Sequence, residues 1–180
     1  LLTIYFIIKR KKQIKKIKIT DRHKYTDMLT SLKNRNYLNV KMPEWEECKV
    51  FPQAIVIVDL NNVKYVNDNY GHEEGDEYIR KIGDLIKGSG MQKTLASRQG
   101  ADEFELEHYD YSSEEELQNT VDSIRYIRDN SKAHLSNGRD IPLQFSFGYT
   151  IFQNRADYLE MMKEADEKMY EEKRNRKNIK

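Results

Sequence analysis

The chain has 180 residues and a formal net charge of +1, the length of one domain with an appendage and enough for a single sizeable core. Its single cysteine, Cys48, excludes a disulfide framework and a thiolate zinc cluster and makes a reducing compartment the default. Lys9 to Lys18 holds seven basic and no acidic residues, so the rest of the chain carries 24 basic against 30 acidic, which speaks against a duplex-binding surface.

Leu1 to Ile8 is an apolar run that gives way abruptly to this basic block. Eight residues fall short of the roughly 20 that cross a bilayer core. Residues 1–8 are therefore read as the end of a transmembrane helix, and 9–26 as a basic juxtamembrane signalling helix that keeps the following domain on the cytoplasmic side of the plasma (inner) membrane. A soluble amphipathic lead-in helix and a basic tail are the alternatives. Ile7, Ile14 and Ile17 recur at spacings of seven and three, the pattern of a two-stranded helical seam.

Asp27 to Leu38 is rich in Ser and Asn, turn and cap formers, and leads into a helix expected to stop near Pro43. After Pro52, Ala54 to Val58 is a continuous β-branched run, expected as a strand buried on both faces. Asp59 falls at its carboxyl end, where a charge is expensive unless paired or metal-bound and where α/β sheets place ligands; a simple helix cap is the alternative. Asn61, Asn62, Lys64, Asn67, Asp68, His72 and Asp76 then follow within one short segment, and seven such groups after a buried strand point to a site. Val63 and Val66 are the inward residues of a short helix, and Ile79, Ile82 and Ile86 those of the next.

Two strands, Thr94–Ser97 and Glu103–Tyr109, are expected around a turn carrying Asp102 and Glu103 side by side. In the second, Phe104, Leu106 and His108 alternate with Glu103, Glu105 and Glu107, predicting one apolar and one acidic face with His108 as a half-buried core residue. Ser113 and Glu116 form a capping box for a helix with Leu117, Val121, Ile124 and Ile127 inward. Packing is the expected role of Tyr126 and Tyr149. Leu143 to Ile151 alternates as a strand interrupted by Gly148, and Asp157 caps a last helix with Leu159, Met162, Ala165 and Met169 inward.

The order predicts an α/β fold of the α+β sandwich type, with a mostly antiparallel central sheet flanked by helices. Asp59, Asp102 and Glu103 can then converge, a hard-oxygen set suited to Mg²⁺ rather than zinc. Such an ion beside lysines serves phosphoryl or nucleotidyl transfer.

Five motifs carry a resemblance: Asp27–Arg35, Val58–Asp76, Arg98–Phe104, Ser146–Gly148 and Ala165–Lys173. In order and spacing they resemble the GGDEF domain of bacterial diguanylate cyclases, over residues 27–178. The resemblance implies a nucleotidyl cyclase/polymerase-palm-like fold that condenses two GTP into cyclic di-GMP and pyrophosphate in a homodimer, with Mg²⁺ (or Mn²⁺) as cofactor and no nucleic-acid partner. It implies Asp59, the Leu60 carbonyl, Asp102 and Glu103 as metal ligands, with Glu103 as ligand or base. Lys64 would stabilise phosphate charge, Lys173 and Lys177 would reach the outer phosphates, and Asn67 and Asp76, with Asn62 and His72 nearby, would serve substrate binding at the guanine side. A carboxylate fits that task because guanine offers N1–H and N2–H₂ donors that adenine lacks.

The chain departs from the family pattern at Asn61, Val63 and Arg176-Lys177, and at Ala101, where the second of the paired glycines is expected. The Ala101 methyl can crowd a nucleotide or resist a positive φ, which makes a catalytically silent module that binds GTP or a partner protein the alternative function. The product-inhibition motif would fall at Met91 to Thr94 and is absent, so feedback there is not expected.

Overall fold

The computed structural model describes residues 2–47, 50–88, 94–108, 113–154 and 157–177; the side chains of 2–3, 15–21, 88, 94–95, 107–108 and 177 lie outside the description. The elements in chain order are α1 (Leu2–Tyr25), β1 (Lys33–Asn34), α2 (Arg35–Glu46), β2 (Gln53–Leu60), α3 (Val63–Tyr70), α4 (His72–Gly88), β3 (Thr94–Arg98), β4 (Glu103–His108), α5 (Glu114–Asn130), β5 (Lys132–His134), β6 (Asp140–Pro142), β7 (Phe145–Phe152) and α6 (Tyr158–Lys177). Five strands form one sheet in the order β1-β3-β4-β2-β7, and β5 and β6 form a separate pair. Only β1 with β3 is parallel; β2 with β4, β2 with β7 and β3 with β4 are antiparallel, as the sequence predicts.

The β-branched run becomes the sheet's central strand, and all eight residues of β2 are buried. Side chains alternate across a strand, so Val56, Val58 and Leu60 join Ile79, Ile82, Ile86, Val121 and Ile124 in one core layer. Ile55 and Ile57 meet Tyr158, Met161, Ala165 and Met169 in the other. Because α6 covers this part of the sheet, the predicted acidic face of β4 is not open to solvent along its length: Glu103 is exposed at the strand start, but Glu105 is enclosed. Glu105 is 1% exposed, as buried as its neighbours Phe104 and Leu106. The side chain of His108, expected in the core, lies outside the description.

Helix α6 lies closely on β7 because position 148 has no side chain. A Cβ at Gly148 would sit 2.1 Å from the Ala165 carbonyl oxygen and 2.2 Å from the Met169 nitrogen. The inward face of α6 holds at Ala165 and Met169, with Met162 half-buried against them, but differs from expectation in its first turn. Tyr158, Met161, Ala165 and Met169 face inward, whereas Leu159 is exposed, since the stripe that meets Ile55 and Ile57 is set by the contact at Gly148. Tyr126, expected to pack, is 69% exposed.

Helix α2 does not stop at Pro43 but runs on to Glu46. Proline removes a single donor near the helix end, and the extra turn brings Trp45 against Tyr158, ring centroids 5.9 Å apart. The caps follow the sequence: Ser113 Oγ accepts the Glu116 N–H at 3.2 Å, and Asp157 Oδ1 accepts those of Leu159 and Glu160 at 3.0 and 3.2 Å.

The apolar N-terminal residues and the basic block belong to one continuous helix, α1, on which Ile7 and Ile14 are exposed. Among the described residues no helix is long and apolar enough to cross a membrane.

Candidate nucleotide site

The end of β2 is the organising point of the site. Asp59 is 7% exposed and stands in register with Glu103 of β4 on one side and Ser146 of β7 on the other. Its side chain points to the α6 layer, where Lys173 Nζ bonds Asp59 Oδ2. One residue on, the Leu60 N–H donates to the Asp102 carbonyl at 2.8 Å, which fixes the β3–β4 turn against the strand end. Asn62 then takes a left-handed conformation (φ 69°), a strain that Asn tolerates better than most residues, and turns the chain into α3.

These elements enclose a cleft of about 300 Å³ lined by Leu60, Asn62, Lys64, Asp102, Gln144, Lys173 and Arg176, among others. Three cationic side chains around one exposed end of a sheet suit a polyanion such as a triphosphate. Glu103 does not share this cleft. It lines a second one, also about 300 Å³, with Arg35, Gln99, Glu105, Lys163 and Asp166, and its carboxylate lies along Gly100, where a Cβ would be 3.2 Å from Oε2.

The turn itself is held from a distance. Arg98 Nη2 donates to the Ala101 carbonyl at 2.8 Å, and Nη1 donates to both Asp27 carboxylate oxygens at 3.3 Å. Asp27 also accepts the N–H and hydroxyl of Thr30 at 2.8 and 2.7 Å. Burial pushes the Asp27 carboxyl up, but the Thr30 hydrogen bonds and the Arg98 charge outweigh it and hold the carboxyl below its usual range. Among the described residues positive φ occurs at Ser31, Asn62, Gly71 and Gly138 and not at Ala101. The alanine is therefore accommodated without backbone strain.

The family model for "Diguanylate cyclase, GGDEF domain" matches residues 24–179. The chain belongs to the GGDEF domain family of diguanylate cyclases. It is 32% identical over 155 residues to the diguanylate cyclase DosC of Escherichia coli, covering 84% of this chain and 34% of DosC. It is 32% identical over 154 residues to the diguanylate cyclase DgcN of the same organism, covering 83% of this chain and 37% of DgcN. The chain thus spans about a third of the length of these relatives. The GGDEF domain of PA1120 (TpbB or YfiN) from Pseudomonas aeruginosa superposes with a TM-score of 0.72 at 26% identity, over 84% of this chain and 90% of that one. The coiled coil and GGDEF domain of DgcB from Caulobacter crescentus, solved with c-di-GMP, does so at 0.82 and 22% identity, over 94% and 91%; at that identity the likeness speaks for the fold.

Not every position singled out in the GGDEF motifs meets at the cleft. Leu60, Asn62, Lys64, Asp102 and Lys173 line it, whereas Asn67, His72 and Asp76 lie along α3 and α4. Gly75 leaves room for the Asn67 amide, since a Cβ there would sit 1.8 Å from Asn67 Oδ1. The Lys177 side chain and residues 91–93 lie outside the description. The three carboxylates do not gather: among the described residues no group of three or more His, Cys, Asp and Glu side chains is arranged to hold a metal, because Lys173 sits on Asp59 and Glu103 turns into the second cleft. The donor chemistry nevertheless fits a hard cation, since Asp59, the Leu60 carbonyl and Asp102 offer only oxygen.

Three features in and around the two clefts have no signal in the sequence motifs. Gln144 lines the cleft and accepts the Asn62 side-chain amide at 2.9 Å. Tyr78 lies behind it. Glu105 accepts the Tyr158 hydroxyl at 2.6 Å through Oε1, while Oε2 is buried with no partner among the described residues. Burial pushes its carboxyl up to about 7, against the Tyr158 hydrogen bond and the Arg35 charge. Alternation alone put Glu105 on a polar face; only the packing of α6 shows that it is buried there.

Proposed function

We propose that this domain condenses two GTP molecules into cyclic di-GMP in a homodimer, using Mg²⁺ or Mn²⁺. The observation that carries the reading is the cleft in which Asp102 shares the end of the sheet with Lys64, Lys173 and Arg176. Each 3′-hydroxyl attacks the α-phosphorus of the facing GTP; its O–H proton is released and pyrophosphate leaves, so two GTP yield one cyclic di-GMP and two pyrophosphates. Asp59, the Leu60 carbonyl, Asp102 and Glu103 are the residues that would hold the cation, whose chemistry there would be to polarise the α-phosphate and neutralise charge on the leaving group.

Lys64, Lys173 and Lys177 bind the phosphates, and Glu103 is suited to take the hydroxyl proton. Asn67 and Asp76, with His72 beside them, read the guanine edge. One cleft holds one nucleotide, so two copies must meet, and the exposed Ile7 and Ile14 of α1 support pairing through that helix. A second reading, a module that binds GTP without turnover, is favoured by one observation, the separation of Glu103 from the Asp102 cleft. Chromatography of nucleotide products after incubation with GTP and Mg²⁺ distinguishes the two. Cyclic di-GMP that disappears in Asp102→Ala supports the cyclase; GTP binding measured by calorimetry with no product supports the silent module.

A further inference from the structure

Tyr78 on α4 is fully buried, and its ring packs with Val66, Ala133, Leu135 and Leu143. A phenylalanine would fill that space equally well. The hydroxyl, however, stands where three backbone segments meet. Its oxygen accepts the Gln144 N–H at 2.8 Å, and its hydrogen has the carbonyls of Asn61 and Pro142 at 3.3 Å and of Gln144 at 3.5 Å within reach. The two loops are also bonded to each other: the Asn61 N–H donates to the Gln144 carbonyl at 2.8 Å, and the Asn62 and Gln144 side chains pair at 2.9 Å. Burial outweighs the Gln144 N–H and raises the phenol above its ordinary range, so it keeps its proton as a donor.

We propose that the Tyr78 hydroxyl is the positioning group of the nucleotide cleft, fastening the Leu60–Asn62 turn to the Pro142–Gln144 segment so that Asn62, Lys64 and Gln144 are fixed as its wall. Only one proton serves three carbonyls, so the hydroxyl orders the loops as a shared node rather than through one bond. The node also ties the β5–β6 pair to the site. That pair is held to α4 again at Glu74, whose carboxylate accepts the Ser136 N–H at 3.1 Å and the Ser136 hydroxyl. A substituted node takes the acceptor from the half-buried Gln144 N–H, a loss felt in the loops before it is felt in the core.

The inference rests on the cleft being a nucleotide site, and the test separates the two. In Tyr78→Phe, hydrogen exchange at the amides of 61–64 and 143–144 is expected to quicken about tenfold or more while the β2–β7 ladder, which begins at Leu60 and Phe145, stays protected. Calorimetric affinity for an unreactive α,β-methylene analogue of GTP is expected to fall about tenfold. Asn62→Gly, which cuts the link to Gln144 while keeping the left-handed turn, is expected to weaken the analogue severalfold, and the double variant to lose less than the product of the two. Unchanged exchange in both loops, or additive losses in the double variant, overturns the inference. A wild-type protein that does not bind the analogue defeats the proposed function alone, since the exchange measurement still decides whether Tyr78 orders these loops.

Discussion

Asp102 and Glu103 are neighbours in the chain, yet they line two clefts of equal size and opposite character. The Asp102 cleft gathers Lys64, Lys173 and Arg176 at the strand end. The Glu103 cleft sets Glu103, Glu105 and Asp166 against Arg35 and Lys163 over a floor that includes a buried carboxylate with a free oxygen. Glu103 is the first residue of β4 and follows the strand's alternation toward α6, while Asp102 is still on the turn. Adjacent carboxylates therefore differ in environment because one is under strand geometry and the other is not. The first cleft is suited to bind a polyanion; the second is suited to hold a carboxylate in an unusual protonation state.

The largest test of this contrast is a pair of substitutions at the boundary. Asp102→Ala is expected to reduce cyclic di-GMP formation by about three orders of magnitude or more, the scale for removing a metal-holding group. Glu103→Gln is expected to lower turnover by about a hundredfold while leaving GTP affinity within about twofold, because its side chain stands outside the cationic cleft. Equal losses of affinity in both variants would show that the two carboxylates act in one pocket after all.

The next effect belongs to the second cleft. The folded Glu105 carboxyl keeps its proton to about pH 7, whereas the unfolded one releases it near its ordinary value of about 4.5. Between those values the folded state binds more protons, so stability is highest below the window and is lost as pH rises through it, by up to about 3 kcal/mol. Urea unfolding at pH 5 and pH 8 should therefore show a fall in wild-type stability that Glu105→Gln removes. The same slope in both proteins would mean that water or a donor reaches the free oxygen.

How much of this contrast is legible before folding depends on whether a signal is local. The central strand, the Ile79–Ile82–Ile86 stripe of α4 and the caps at Ser113 and Asp157 are written in short-range periodicity and hydrogen-bonding chemistry, and they fold as read. The cationic wall is half legible: Lys64 and Lys173 belong to spaced motifs, while Gln144 comes from a loop with no chemical signature. The acidic cleft is illegible, because period-two alternation assigns Glu105 to the polar side of β4 and only the close approach of α6, allowed by Gly148, buries it there. The same approach rotates Leu159 outward. Tyr78 reads as one more core aromatic because its partners are main-chain atoms more than 60 residues away in the Pro142–Gln144 segment.

A smaller test concerns the charges themselves. Lys64 is exposed, so Lys64→Ala is expected to leave the melting temperature unchanged but to weaken GTP about tenfold, with a shallower dependence on salt. Lys163 stands in the other cleft, paired with Glu167 at 3.9 Å on the surface, and Lys163→Ala should change GTP affinity by less than about twofold. Comparable losses from the two lysines would erase the electrical difference between the clefts.

The smallest effect is expected at Ala101, which lies on the turn just before the two carboxylates. Its carbonyl is held by Arg98 and its φ is not positive, so a glycine there relieves no strain. It adds only freedom to the unfolded chain, which destabilises by about 0.5–1 kcal/mol. Ala101→Gly is therefore expected to melt slightly lower and to form cyclic di-GMP within about twofold of wild type. A gain of tenfold or more, seen in initial rates at saturating GTP, would mean that the methyl occupies space the nucleotide needs. The steric limit would then lie on the turn itself, and the wall of the Asp102 cleft would include a residue that its cationic lining does not reveal.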